Sequence, residues 1–159
     1  MKDLYKNIAQ KLKTEIGCCV DLWNKQTERQ SESHPLFLPA VFISLKEAVV
    51  QRSKNGRQQL LVSITLYVVQ ESYSDAFEGA ETQDKALEIF DFLEQVYVVL
   101  QDFGGEKFSP LERKSTRFDD NYTSVIAFEV DFNTIYEDTS KIDSKQLRVK
   151  PDLEPQRIY

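Results

Sequence analysis

Apolar residues along this chain change period several times, and each change marks an element. Leu4, Tyr5, Ile8, Leu12 and Ile16 recur at helical spacing with Lys6, Asn7, Gln10, Lys11 and Lys13 between them. That stripe predicts an amphipathic helix over Asp3–Ile16, stopped by Gly17. Cys18–Trp23 reads as a short strand, and the polar run Asn24–His34 as a loop. Pro35 and Pro39 bracket Leu36-Phe37-Leu38, which predicts an extended connector, because a proline disfavours the helical conformation in the residue before it. From Ala40 to Glu47, Val41, Ile43 and Leu45 alternate with Phe42, Ser44 and Lys46, the period of two that defines a strand. Leu60, Val62, Ile64, Leu66 and Val68 repeat the pattern. Between them the polar stretch Gln51–Gln59, centred on Asn55-Gly56, predicts a hairpin with a long turn-like arm.

The second half alternates less regularly. After a loop-like segment from Ser72 to Gly79, residues Ala86, Ile89, Phe90, Leu93, Val96, Tyr97 and Leu100 trace a wide helical stripe. Thr82 is placed to act as N-cap, Asp84 near the positive helix end, and Gly104-Gly105 to close the far end. Arg113–Asp119 reads as a polar strand, Asp120-Asn121 as a turn, and Tyr122–Tyr136 as a strand. In that last strand Ile126, Phe128, Val130 and Phe132 face away from Ala127, Glu129, Asp131 and Asn133. The predicted architecture is α+β: an antiparallel sheet of four to five strands with two helices packed on one face. Residues 1–137 form the single predicted domain. Residues 138–159, interrupted by Pro151 and Pro155, form a C-terminal extension read either as disordered or as an arm that docks Val149, Leu153 and Ile158 on a neighbouring subunit.

Composition narrows the class. The chain has 159 residues, 29% charged and 41% hydrophobic, which suits one water-soluble domain and excludes a disordered chain. No apolar run approaches bilayer length and the N-terminal residues lack a secretory core, so a cytoplasmic protein is expected, neither secreted nor membrane-bound. The two cysteines, Cys18 and Cys19, are adjacent, which argues against a disulfide framework. A net charge of −6 argues against nucleic-acid recognition as the main task. Its distribution is uneven: net +4 over residues 1–57, −8 over 58–111 and −2 over 112–159. Opposed charges of this kind suit head-to-tail contact between copies, although solvated surfaces are their plainer explanation.

Candidate chemistry is sparse. One histidine, His34, and two cysteines do not supply a zinc site, and no G-x-G-x-x-G, G-K-[ST] or G-x-S-x-G occurs. Cys18 and Cys19 read as small strand residues, Glu129, Asp131, Asp119 and Asp120 as solvated carboxylates, and Trp23, Phe37 and Phe42 as core or interface anchors. No cofactor is expected, and no catalytic or metal-binding residue is assigned. The local basic groupings, Arg52, Lys54 and Arg57 beside Asn55, and Arg113, Lys114 and Arg117, lack the interleaved aromatics that stack on bases and are candidate protein-facing surfaces.

The helix Asp3–Ile16, the lead-in Pro35-Leu36-Phe37-Leu38-Pro39 to the strand Ala40-Val41-Phe42-Ile43-Ser44, and the sheet-helix-sheet continuation resemble the tail-completion and tail-terminator proteins of tailed bacteriophages. The resemblance spans roughly residues 1–137 and rests on element order, size and acidic balance. It implies a non-enzymatic virion protein forming a ring, often hexameric, that caps the tail tube and meets the head connector. It also points to the arm around Asn55-Gly56 and the helix Thr82–Gln101 for ring and tube contacts. A free-standing adaptor or regulatory module would use the same fold without a ring, and a carboxylate hydrolase would need a deep pocket.

Overall fold

A computed structural model describes residues 1–28, 36–73, 77–122 and 124–142. Helix α1 (Lys2–Glu15) leads through Gly17 into β1 (Cys19–Leu22) and a 3-10 turn (Gln26–Glu28). The long strands β2 (Ala40–Lys54) and β3 (Arg57–Glu71) follow, then α2 (Gln83–Leu100), β4 (Glu112–Asp119) and β5 (Val125–Asp138). The five strands form one sheet in the order β1-β2-β3-β5-β4. The fold class is α+β, as the alternation of periods predicts. The sheet is mixed rather than wholly antiparallel, because β1 pairs in parallel with β2, Cys19 opposite Ala40 and Leu22 opposite Ile43. The connector between them makes this possible: a crossover returns the chain to the start of the sheet, where a tight turn would have reversed it.

Both helices cover one face. Leu4, Ile8 and Leu12 of α1, with Ile89, Phe92, Val96 and Leu100 of α2, pack on Val41, Ile43, Val62, Ile64, Leu66, Val130 and Phe132 of the sheet. These side chains leave water almost entirely, and their burial is the main stabilising term of the fold. Gly17, at φ +78°, ends α1 and donates its N–H to the Lys13 carbonyl, a left-handed residue that glycine adopts without strain. Thr82 stands at the predicted N-cap position of α2, but its side chain makes no capping hydrogen bond, and α2 ends before the glycine pair, at Leu100, with Gln101 already extended. Gly104 and Gly105 instead allow close approach: a Cβ on Gly105 would lie 2.2 Å from the Phe108 ring, and one on Gly104 3.2 Å from the Pro110 nitrogen.

The opposite, helix-free face holds a smaller cluster of Ala40, Phe42, Tyr67, Val69, Val125 and Ala127, with Trp23 packed against it. Trp23 stacks on Tyr67 at 4.0 Å between ring centroids and tilts against Phe42 at 6.0 Å. Phe42 and Trp23 are therefore packing residues, whereas Phe37 is exposed.

The largest departure from the sequence reading is the hairpin. The polar residues 51–59 are strand rather than turn: β2 continues to Lys54, β3 begins at Arg57, and only Asn55 and Gly56 form the reversal. Both have positive φ, 53° and 83°, the conformation of a two-residue type I′ turn. Polarity hides the strand from a hydrophobic-period argument, because past Leu45 β2 leaves the covered part of the sheet and has little to bury. Bulges at Lys46 and Gln51 interrupt the β2–β3 register.

Candidate functional site

The described residues present three polar surfaces, and each contains residues that the sequence singles out. The first is the tip of the β2–β3 arm. Because Gln51 is bulged, Arg52 pairs with Gln59 and Lys54 with Arg57, so that all four side chains share the helix-free face. Arg52, Lys54, Asn55 and Arg57, together with Gln59 and Glu137, line a shallow hollow of about 260 Å³. Four candidate residues are thus brought to one place. Arg57 reaches Glu137 at 3.3 Å, while Arg52 and Lys54 have no ion pair among the described residues. Like charges directly opposite on a ladder are unfavourable, so Lys54 facing Arg57 is a local electrostatic cost that folding alone does not require.

The second grouping, Arg113, Lys114 and Arg117, is dispersed. A bulge between Arg113 and Ser115 rotates the strand, so that Arg113 and Arg117, four residues apart, point to opposite faces. The Arg113 guanidinium lies 3.8 Å from the Tyr97 ring centroid on the helix side, a cation–π arrangement. Lys114 pairs with Glu112. Arg117 turns to the helix-free face and bridges Glu129 and Asp131, the latter at 2.9 Å. These cations are largely satisfied within the chain and do not form one basic patch.

That bridge belongs to the third surface, a polar cluster in the middle of the helix-free face. Asp131 accepts hydrogen bonds from the Thr65 hydroxyl at 2.5 Å, the Ser115 hydroxyl at 2.7 Å and Arg117. Lys46 adds its charge near Glu129, at 3.9 Å. Burial pushes the Asp131 carboxyl up, but the two hydroxyls and the Arg117 and Lys46 charges outweigh it and hold the group below its ordinary value. A carboxylate so fully engaged is a cross-strand clamp joining β3, β5 and β4, not a solvated side chain as its alternation suggests. Asp119 also departs from that reading: it is buried and accepts from the Asn121 backbone and side chain.

On the helix side, α2 buries Ala86, Ile89, Phe92, Val96 and Leu100. Phe90, predicted for the buried stripe, is exposed and sits edge-on to Phe128 at 5.9 Å. Leu87 and Val98 are exposed with it. A groove of about 520 Å³ runs between the end of α1 and the outer side of α2, lined by Glu15, Ile16, Asp91, Glu94, Gln95, Val98 and Val99. Apolar spacing does not reveal this groove; the negative balance of residues 58–111 is its signal for Asp91 and Glu94, while Glu15 comes from the otherwise basic N-terminal region.

Cys18 is buried, and desolvation pushes its thiol up to about 11, while Cys19 is exposed. Among the described residues no group of three or more His, Cys, Asp or Glu is placed to hold a metal ion, and no helix is long and apolar enough to cross a membrane. His34, Val149, Leu153 and Ile158 lie outside the described residues, as does most of the C-terminal extension. No family model matches the chain, and no curated protein matches it.

Proposed function

We propose that this chain is a non-enzymatic assembly protein that acts by contact between its surfaces and other protein subunits, copies of itself included. The observation that carries this reading is the arm tip: Arg52, Lys54 and Arg57 gather on one face, Lys54 opposite Arg57, with Glu137 the one carboxylate in the hollow among the described residues. An arrangement that costs folding energy and leaves two cations without an ion pair among the described residues gains its return when an acidic partner arrives. Two further features support it. The outer edge of β4, on the side away from β5, has no partner strand among the described residues. The outer side of α2 keeps Leu87, Phe90 and Val98 in water, a stripe that a partner surface would cover.

The resemblance to tail-completion and tail-terminator proteins gives the reading its specific form: a ring, hexameric in the usual case, seated between a phage tail tube and the head connector. The helix, the three strands, the second helix and the two further strands occur in the order on which that resemblance rests.

Sedimentation of the purified chain across a concentration series, with electron microscopy of the heaviest species, tests the proposal. Closed rings, or caps on added tail tubes, are the expected result. A chain that stays monomeric at every concentration and leaves tube ends bare would overturn it. Capsid, portal and tape-measure genes beside the coding sequence would support the phage setting.

A further inference from the structure

The arm tip and the groove on the helix layer carry opposite charge on opposite sides of the molecule. We propose that they are the two halves of one contact, the arm of one copy seating in the α1–α2 groove of the next. The inference rests on the assembly reading above and names its interface.

Chemistry on the two surfaces matches in both charge and apolar content. The arm presents Arg52, Lys54 and Arg57 around its hollow, and on the same face Val49 and Ile135, 42% and 38% exposed. The groove presents Glu15, Asp91 and Glu94, with no lysine or arginine in its lining among the described residues, and Val98, 67% exposed, on its wall. Glu15 shares an ion pair with Lys11 at 3.2 Å, whereas Asp91 and Glu94 have none among the described residues. Seating the arm would place three cations over two unpaired carboxylates and a third nearby. It would also cover apolar side chains on both sides. Charge pairing of this kind fixes partner and register more than it adds raw affinity, and the apolar contact supplies the remainder.

Topology makes the contact intermolecular. Glu15 and Ile16 stand at the end of α1, from which the chain passes through Gly17 into β1, and Cys19 of β1 pairs with Ala40, the first residue of β2. The tip lies at the far end of that strand, about 45 Å away at roughly 3.3 Å per residue. It also presents its basic side chains on the face without helices. A hydrogen-bonded hairpin cannot fold back over that distance and around the sheet, so the groove must take the arm of another molecule. Joining two different surfaces in this way is heterologous, and repetition yields a ring or an open chain.

The test is a charge swap followed by sedimentation. The arm variant R52E/K54E/R57E and the groove variant D91K/E94K each alter exposed side chains only, and circular dichroism checks that both fold. Each alone is expected to weaken self-association by about tenfold or more, and the chain carrying both sets is expected to recover it. Wild-type association that persists in either single variant, or a double swap that fails to restore it, overturns this contact while leaving the assembly reading intact. A wild-type chain that is monomeric up to millimolar concentration overturns this contact, and the assembly reading falls with it only if added tail-tube ends also stay bare.

Discussion

The Thr65 hydroxyl donates to the Asp131 carboxylate across the β3–β5 ladder at 2.5 Å, and the Ser115 hydroxyl on β4 donates to the other oxygen of the same carboxylate at 2.7 Å. Three adjacent strands are thereby tied at one point on the face that has no helix. Replacing Asp131 by Ala would leave the two hydroxyls and Arg117 without their shared acceptor. A loss of about 1–3 kcal/mol is expected in urea unfolding at neutral pH, in line with hydrogen bonds to a charged group.

Acid should erase that difference. The folded carboxyl of Asp131 titrates below its ordinary value, so its contribution is fully present above the unfolded carboxylate range and is lost as pH falls through the depressed value. Unfolding curves of wild type and D131N are therefore expected to converge as the pH is taken from 7 to below about 3. A gap of constant size across that range would show that the clamp does not depend on ionisation.

The two faces of α2 should answer differently to truncation. Phe92 is buried against the sheet, and F92A is expected to cost about 3–5 kcal/mol. Phe90 touches Phe128 only at its edge and is mostly in water, so F90A should cost about 1 kcal/mol or less. Thermal or urea denaturation of the pair decides it, and equal losses would contradict the assignment of faces.

At the arm tip, Gly56 has φ +83°, and a Cβ there would also approach Ile142 Cγ1 to 3.3 Å. G56A is expected to destabilise by about 1 kcal/mol or somewhat more, through backbone strain and the crowding of Ile142. Hydrogen exchange should localise the effect to residues flanking the turn, with the central ladder unchanged.

Cysteine chemistry provides an independent check on burial. A maleimide or iodoacetamide at about pH 8 should label Cys19 in the native protein and reach Cys18 only after denaturation, because burial shields the latter and keeps its thiol protonated. Mass spectrometry of the peptides reads the outcome directly.

Much of this fold is legible in the spacing of apolar residues. Leu4, Ile8 and Leu12 are the buried face of α1, and the alternating set from Leu60 to Val68 is the buried face of β3, both as the periods require. What escapes the pattern has physical causes. The outer half of β2 and the start of β3 form a ladder with little to bury, so their strand character is written in backbone pairing to β5 and in the Asn55-Gly56 turn. In α2, Phe90 and Phe92 both fit a helical stripe, and which one faces the sheet depends on the angle at which the helix docks. Candidate site residues follow the same logic. The cluster at Arg52, Lys54 and Arg57 is local in sequence and survives folding, whereas Arg113 and Arg117 are parted by a bulge that no composition announces.

The outer edge of β2 carries its own protection against strand addition. Past Ile43 this strand offers a row of backbone donors and acceptors that no described strand satisfies, the kind of template on which fibrils grow. Bulges at Lys46 and Gln51 break its regular spacing, and Lys46, Glu47, Arg52 and Lys54 would bring charge into any sheet that tried to extend it. Along this edge the main chain is therefore a poor template for strand addition, and any contact made there falls to the side chains.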